Sequence, residues 1–183
     1  MTAVWLLAGL ALLAWAVFVF NRLVRLRNQV GAAWADIDVQ LRRRHDLVPD
    51  LVATVAGYAQ HERRALEQVT ELRARASTLA SRARLGEVES ALREALAGVL
   101  VLQEAYPDLK ANQTFLQLQK DLVEVEDHLQ YARRFYNGSV RDYHNAIQRV
   151  PDVVVARAFR FAPAEFFQAS DEERQAVPVE LSR

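Results

Sequence analysis

Residues 1 to 21, MTAVWLLAGLALLAWAVFVFN, carry no charged side chain, and no other feature narrows the fold of this chain as far. Coiled as a helix with a rise of about 1.5 Å per residue, the run spans roughly 30 Å, the hydrocarbon thickness of a bilayer. One transmembrane helix is expected over residues 1–22. A cleavable signal peptide fits less well, because no basic residue precedes the apolar run and no A-x-A-like site follows it, the run ending FVFNRL. Arg22, Arg25 and Arg27 follow the span directly. The basic flank is therefore C-terminal, which predicts the amino terminus outside and the remainder of the chain in the cytoplasm. These three arginines are the first candidates for contact with lipid headgroups.

The 23 basic and 23 acidic side chains cancel, and no basic tract interleaved with aromatics follows the pattern of a nucleic-acid backbone. Nucleic acid is not an expected partner. With no cysteine, disulfides, thiolate metal ligands and a cysteine nucleophile are excluded. Glycine (6) and proline (5) are scarce while Ala, Leu, Val, Arg and Glu are abundant, which is the composition of long helices. The expected class is all-α.

Beyond the span, apolar residues keep helical spacing through Leu23, Leu26, Val30, Trp34, Ile37 and Leu41, and the next step of four lands on His45. A second stripe runs Leu51, Val55, Tyr58, Leu66, Val69, Leu72, Ala76, Leu79 and closes before Gly86; a third runs Val88, Leu92, Leu96, Val99, Leu102, Tyr106 and ends at Pro107. The fourth is the longest: Phe115, Leu118, Leu122, Val125, Leu129, Ala132, Tyr136, Val140, Tyr143, Ile147, Val150, a coiled-coil-like seam stopped by Pro151. Four amphipathic helices joined by short links, near 82–87 and 107–112, predict an antiparallel, up-and-down four-helix bundle over residues 23–167. The aromatic-rich DVVVARAFRFAPAEFF shows no helical period and is expected to cap the bundle. Residues 168–183 are polar and expected to be disordered.

The stretch RRRHDLVPDLV, residues 42 to 52, decides how the first helix enters that bundle. Asp46 fits an N-cap and Pro49 a first helical turn, where its missing N–H has no partner to lose. His45, Asp46 and Pro49 are therefore read as a helix joint, with reversal favoured over a kink. Reversal would aim the arginine-rich segment from Leu72 to Leu85 at an anionic membrane surface, which makes Arg82 and Arg84 further candidates for headgroup contact. The metal alternative is weaker, since at helical spacing His45 and Asp46 point about 100° apart. His45 continues the stripe from Leu41 and is expected to be a core or interface histidine with a hydrogen-bond partner. Arg42 to Arg44 are expected on a solvated face or paired with acids, for example those of 104–108.

Catalytic signatures are missing. HERR at 61–64 lacks the second histidine of a zinc protease helix, and none of the four histidines follows a glutamate at the i, i+3 spacing of di-iron bundles. There is no nucleophile elbow and no phosphate-binding glycine loop. No catalytic, cofactor-binding or metal residue is assigned, and no cofactor is expected. Glu126 and Arg133, seven apart on the fourth helix, are candidates for a register-fixing ion pair. Tyr136, Asn137, Tyr143, His144 and Asn145 form a patch read chiefly as core packing, with a groove for a partner peptide left open.

Three separated segments, VGAAWADIDVQLRRRHDLVPDLVATVAGYAQHE, AYPDLKANQTFLQLQKDLVEVEDHLQYARRFYN and VRDYHNAIQRVP with a closing FF, together resemble the LemA family of bacterial membrane proteins. The likeness runs in order from the anchor to Phe167. Two positions depart from it: Val150 stands where the family usually has an aromatic, and His144 where it usually has Asn. The resemblance implies a single-pass inner-membrane protein with an antiparallel helical bundle and no established activity or cofactor. The expected function is a non-enzymatic, membrane-anchored scaffold or adaptor at the cytoplasmic face. Its partners would be membrane lipids and either a second copy or another membrane or cytoplasmic protein. The small residues Ala8, Gly9 and Ala11 of the span and the heptad-like fourth helix permit lateral assembly. An enzyme with an unrecognised site in the bundle core, or a membrane-linked sensor, are the alternatives.

Overall fold

Apolar side chains recur at helical spacing through most of residues 23–150, and every regular element among the described residues is helical. The structure, a computed structural model, describes residues 1–167; the expected disorder of 168–183 lies outside them. In chain order the elements are α1 (Thr2–Ala56), α2 (Arg63–Thr78), α3 (Arg82–Val101), a 3-10 turn (Leu102–Glu104), the short α4 (Pro107–Lys110), α5 (Gln113–Gln148) and α6 (Asp152–Ala158).

α1 corrects the expected joint. It runs unbroken for 55 residues with Pro49 in its interior, so His45 and Asp46 are neither a turn nor a cap. An internal proline costs a helix one hydrogen bond, that from its own position to the carbonyl four residues earlier. Here that acceptor is the carbonyl of His45, and Nε of Arg73 in α2 donates to it at 2.7 Å. A side chain supplies what the proline cannot. The helix ends instead at Ala56, and the reversal lies in 57–62.

Two other boundaries differ from expectation. The link placed at 82–87 is helical; the break falls at 79–81, where Leu79 and Ser81 turn extended (ψ 125° and 124°). Ser77 and Thr78 donate their hydroxyls to the carbonyls of Ala74 and Arg75, which satisfies the last turn of α2. Gly86, placed in a link by its type, is buried inside α3, and Ser90 Oγ bonds its carbonyl. Beyond Pro151 the segment expected to be irregular begins with α6. α5 bears out the long fourth stripe from Phe115 to Ile147, ending at Gln148 short of Val150, and starts where Asn112 caps it, Oδ1 accepting from the N–H of Phe115.

The chain divides into two compact units. One joins Met1–Asp38 to Tyr131–Phe166; the other holds Val39–Gln130 and, of the remaining described residues, Phe167. In the first unit, Val19, Leu23, Val30, Ala33 and Ile37 of α1 are buried, as are Tyr136, Val140, Tyr143 and Ile147 of α5 and Val155 of α6. In the second, Val48, Leu51 and Val55 of α1 join Leu66, Val69 and Leu72 of α2, Leu92, Leu96 and Val99 of α3 and Phe115, Leu118 and Leu122 of α5 in one apolar cluster. Steps of three and four place each set on one helix face, so burial follows from periodicity.

Candidate functional site

The second unit closes around charge as well as hydrocarbon. Along α1 the core face runs Ile37, Leu41, Arg44, Val48, Leu51, Val55, so an arginine takes a core position. Arg44 is 2% exposed. Along α3, Glu89 takes the corresponding place before Leu92, Leu96 and Val99, and is 0% exposed. Burying either charge alone would cost several kcal/mol on the order of Born desolvation after relaxation, so each must find the other. Arg44 Nη1 donates to Glu89 Oε2 at 3.0 Å and Nη2 to Glu126 Oε2 of α5, while His45 Nε2 donates to Glu89 Oε1 at 2.7 Å. With Arg73 on the His45 carbonyl, residues from α1, α2, α3 and α5 meet at one level. On the surface beside it, Arg43 grips both carboxylate oxygens of Glu124 at 3.3 and 3.4 Å. That bidentate contact and charge, with a smaller contribution from His128, hold Glu124 below the ordinary glutamate range.

These hydrogen bonds tie α1, α2, α3 and α5 to one another. Both oxygens of Glu89 are engaged, and no hydroxyl or lysine is hydrogen-bonded to His45 or Glu89 among the described residues. No three His, Asp or Glu side chains gather there into a metal set among the described residues. Arg44, Arg93 and Glu126 border a cleft of about 160 Å³ whose other walls include Leu96, Leu100 and Leu122. Nε of Arg93 and Oε1 of Glu126 are buried without a hydrogen-bond partner there.

The first unit carries a second polar arrangement. Tyr136 Oη donates to the Glu165 carbonyl at 2.6 Å, Tyr143 Oη to that of Ala162 at 2.9 Å, and His144 Nε2 meets the backbone of Ala164, 2.9 Å from its carbonyl oxygen and 3.1 Å from its nitrogen. Trp34 packs edge-on against Tyr136, with ring centroids 5.5 Å apart. The patch read from sequence chiefly as core packing is buried at Tyr136 and Tyr143, and the chain's own segment 162–165 lies where the sequence leaves open a groove for a partner peptide. Burial pushes the Tyr143 phenol above its usual value, and Arg27 pulls it partly back.

The arginines after the apolar run are largely committed to this unit. Arg22 pairs with Asp152 at 2.9 Å, Arg27 stands 5.4 Å over the Phe161 ring, and Arg25 is exposed. Arg82 and Arg84 open α3 rather than close the second helix. Asp46 sits inside α1 and is exposed. Glu126 pairs with Arg44 of α1.

Comparison with known proteins places these features in a lineage. The family model described as the LemA family matches residues 33–181, well over half of the chain. The chain belongs to the LemA family. It is also 28% identical over 159 residues to Protein LemA of Metamycoplasma hominis, a match that covers 86% of this chain and 72% of that relative. The LemA match begins inside α1 and takes in the whole buried cluster. In this LemA-family chain the residues that sequence reasoning missed are Arg44 and Glu89. For Arg44 the signal was available: 37, 41, 44, 48, 51, 55 is an unbroken alternation of four and three, legible once α1 is allowed to pass Pro49.

Proposed function

We propose that this LemA-family protein is a membrane-anchored, non-enzymatic scaffold or adaptor, single-pass in the inner membrane, with its amino terminus outside and its helical body in the cytoplasm. The observation that carries this reading is the N-terminal part of α1. Nine large apolar side chains from Val4 to Phe18 are 51% to 75% exposed, in a stretch of mean hydropathy 2.4. Moving such a set out of water is favourable by on the order of 10 to 20 kcal/mol, which a bilayer supplies. Arg22, Arg25 and Arg27 set the orientation.

The body is read as an antiparallel four-helix bundle built from the end of α1, α2, α3 and the start of α5. The contacts of Arg44 with α3 and α5 and of Arg73 with α1 support that arrangement. A body whose buried ionic groups are spent on fixing helices fits a role in presenting surface rather than turning over substrate. Self-association in the membrane is part of the proposal, through the heptad spacing of α5 and the small residues of the span. The test is the native mass of detergent-extracted full-length protein across a concentration series. Assemblies larger than one chain are expected; a strict monomer at every concentration would remove self-association from the proposal.

A further inference from the structure

The C-terminal end of the apolar run is not bare. Val19 is buried, and Phe20 sets its ring against Phe159 at 4.8 Å and Phe161 at 5.7 Å. α6 and the turn that follows it therefore lie against the last turns of the run, at the level just before the first charge, Arg22. The outer side of this element is apolar: Val150, Val154 and Phe159 are 78%, 63% and 60% exposed. Interspersed with them stand Arg149, Arg157 and Arg160, all exposed. Arg149 also shares a cleft of about 330 Å³ with Arg22, Leu26, Asp142 and Asn145. Counting this end of the unit, seven arginines (22, 25, 27, 141, 149, 157, 160) stand against Asp142 and Asp152, and those two are taken by Arg141 and Arg22.

Exposed valine and phenylalanine side chains among arginines, continuous with a hydrophobic span, match the interface of a bilayer better than water or an apolar protein partner. An element of this composition seats its apolar side chains about 5–10 Å into the boundary between headgroups and acyl chains. We infer that α6 and the Phe159–Phe161 turn form an interfacial collar around the anchor, with Val150, Val154 and Phe159 at the acyl boundary and Arg149, Arg157 and Arg160 on anionic phospholipid headgroups. The inference rests on the membrane anchoring proposed above, and adds a lipid class and a second point of attachment from the far end of the chain.

The absence of native cysteine makes the test direct. Full-length protein carrying a single A158C substitution, labelled with an environment-sensitive fluorophore, is reconstituted into phosphatidylcholine vesicles with or without about one anionic phosphatidylglycerol in five. E67C on α2 serves as the reference. In vesicles that float with the protein, a spin-labelled lipid quencher at the headgroup level is expected to quench A158C several-fold more than E67C. Native mass spectrometry is expected to show about five-fold more anionic lipid retained by the parent chain for each of the three arginines than by R149Q, R157Q and R160Q combined. Flotation with equal quenching at both sites overturns the collar and leaves the anchor standing, whereas failure to float overturns both. Equal retention of zwitterionic and anionic lipid by the parent chain overturns the headgroup assignment. Shielding of A158C that rises with protein concentration in detergent would assign the face to a second copy and overturn it too. The quenching arm uses no charge variant, so it decides the matter even if the triple glutamine chain misfolds.

Discussion

Arg73 donates its Nε–H to the carbonyl oxygen of His45 across 2.7 Å, and that carbonyl is the one Pro49 leaves without a helical donor. A proline that reads as a helix start in sequence is thereby held within a helix of 55 residues. Replacing Arg73 with Met keeps the aliphatic stem and removes the donor, which should cost about 1–2 kcal/mol of stability. In a P49A background the restored N–H serves the same carbonyl, so the cost of R73M should fall by about 1 kcal/mol. Chemical denaturation of the four chains of this cycle checks it; an equal cost of R73M in both backgrounds would contradict the pairing.

The Arg44–Glu89 pair stands at 3.0 Å with both side chains buried. Removing one partner strands the other charge, so R44M alone or E89L alone should destabilise by about 3–5 kcal/mol. The double variant replaces the pair by packed hydrocarbon but leaves Glu126 and His45 without these partners, so it should cost less than the sum of the two single variants without returning to the parent. Double-variant losses equal to the sum of the single ones would mean that the two side chains act independently.

Tyr143 ties the segment 162–165 to α5, and burial raises its phenol above the usual value. A group whose folded value lies above its unfolded one contributes stability that is fully present below the unfolded value, about pH 10, and lost as pH rises through the folded one. Y143F should cost about 1 kcal/mol at neutral pH and flatten the alkaline fall in stability relative to the parent. Denaturation midpoints of both chains from pH 8 to 11 read this out; parallel curves would show that Tyr143 does not titrate with unfolding.

Arg160 closes α6 in the left-handed region, φ 55°, where Phe161 N–H bonds the Ala156 carbonyl and Arg160 N–H that of Arg157. This is the geometry of a Schellman closure, in which glycine is free of the Cβ penalty of about 1 kcal/mol. R160G should therefore raise stability by up to about 1 kcal/mol while weakening retention of anionic lipid. Thermal melts paired with lipid analysis test it, and a destabilised R160G would show that the side chain contributes more to the fold than its backbone costs.

The apolar run, the all-helical class and the seam of α5 from Phe115 to Ile147 were legible in the sequence because each is a pattern read over many residues, whereas Val150, read as the end of the seam, lies beyond α5 and is exposed. The joint at His45, Asp46 and Pro49 was misread because local rules for proline carry no knowledge of Arg73, which lies 28 residues on and rescues the helix. The same error hid the site. Stepping from Leu41 to His45 rather than Arg44 put a histidine on the core face and a buried arginine on the solvated one. Glu89 was passed over because a glutamate at a core position makes sense only beside its cation. The own-chain filling of the Tyr136–Tyr143 groove needed tertiary structure, since the segment of 162–165 contributes mostly backbone atoms that no side-chain pattern announces.

Anchoring and sidedness are tested most directly by impermeant maleimide labelling of full-length T2C and E67C in intact and permeabilised bacterial cells, followed by alkaline carbonate extraction of the membranes. The proposal expects both chains to stay with the membrane pellet, T2C to label in intact cells and E67C only after permeabilisation. Release of the protein into the carbonate supernatant, or labelling of E67C in intact cells, would contradict it.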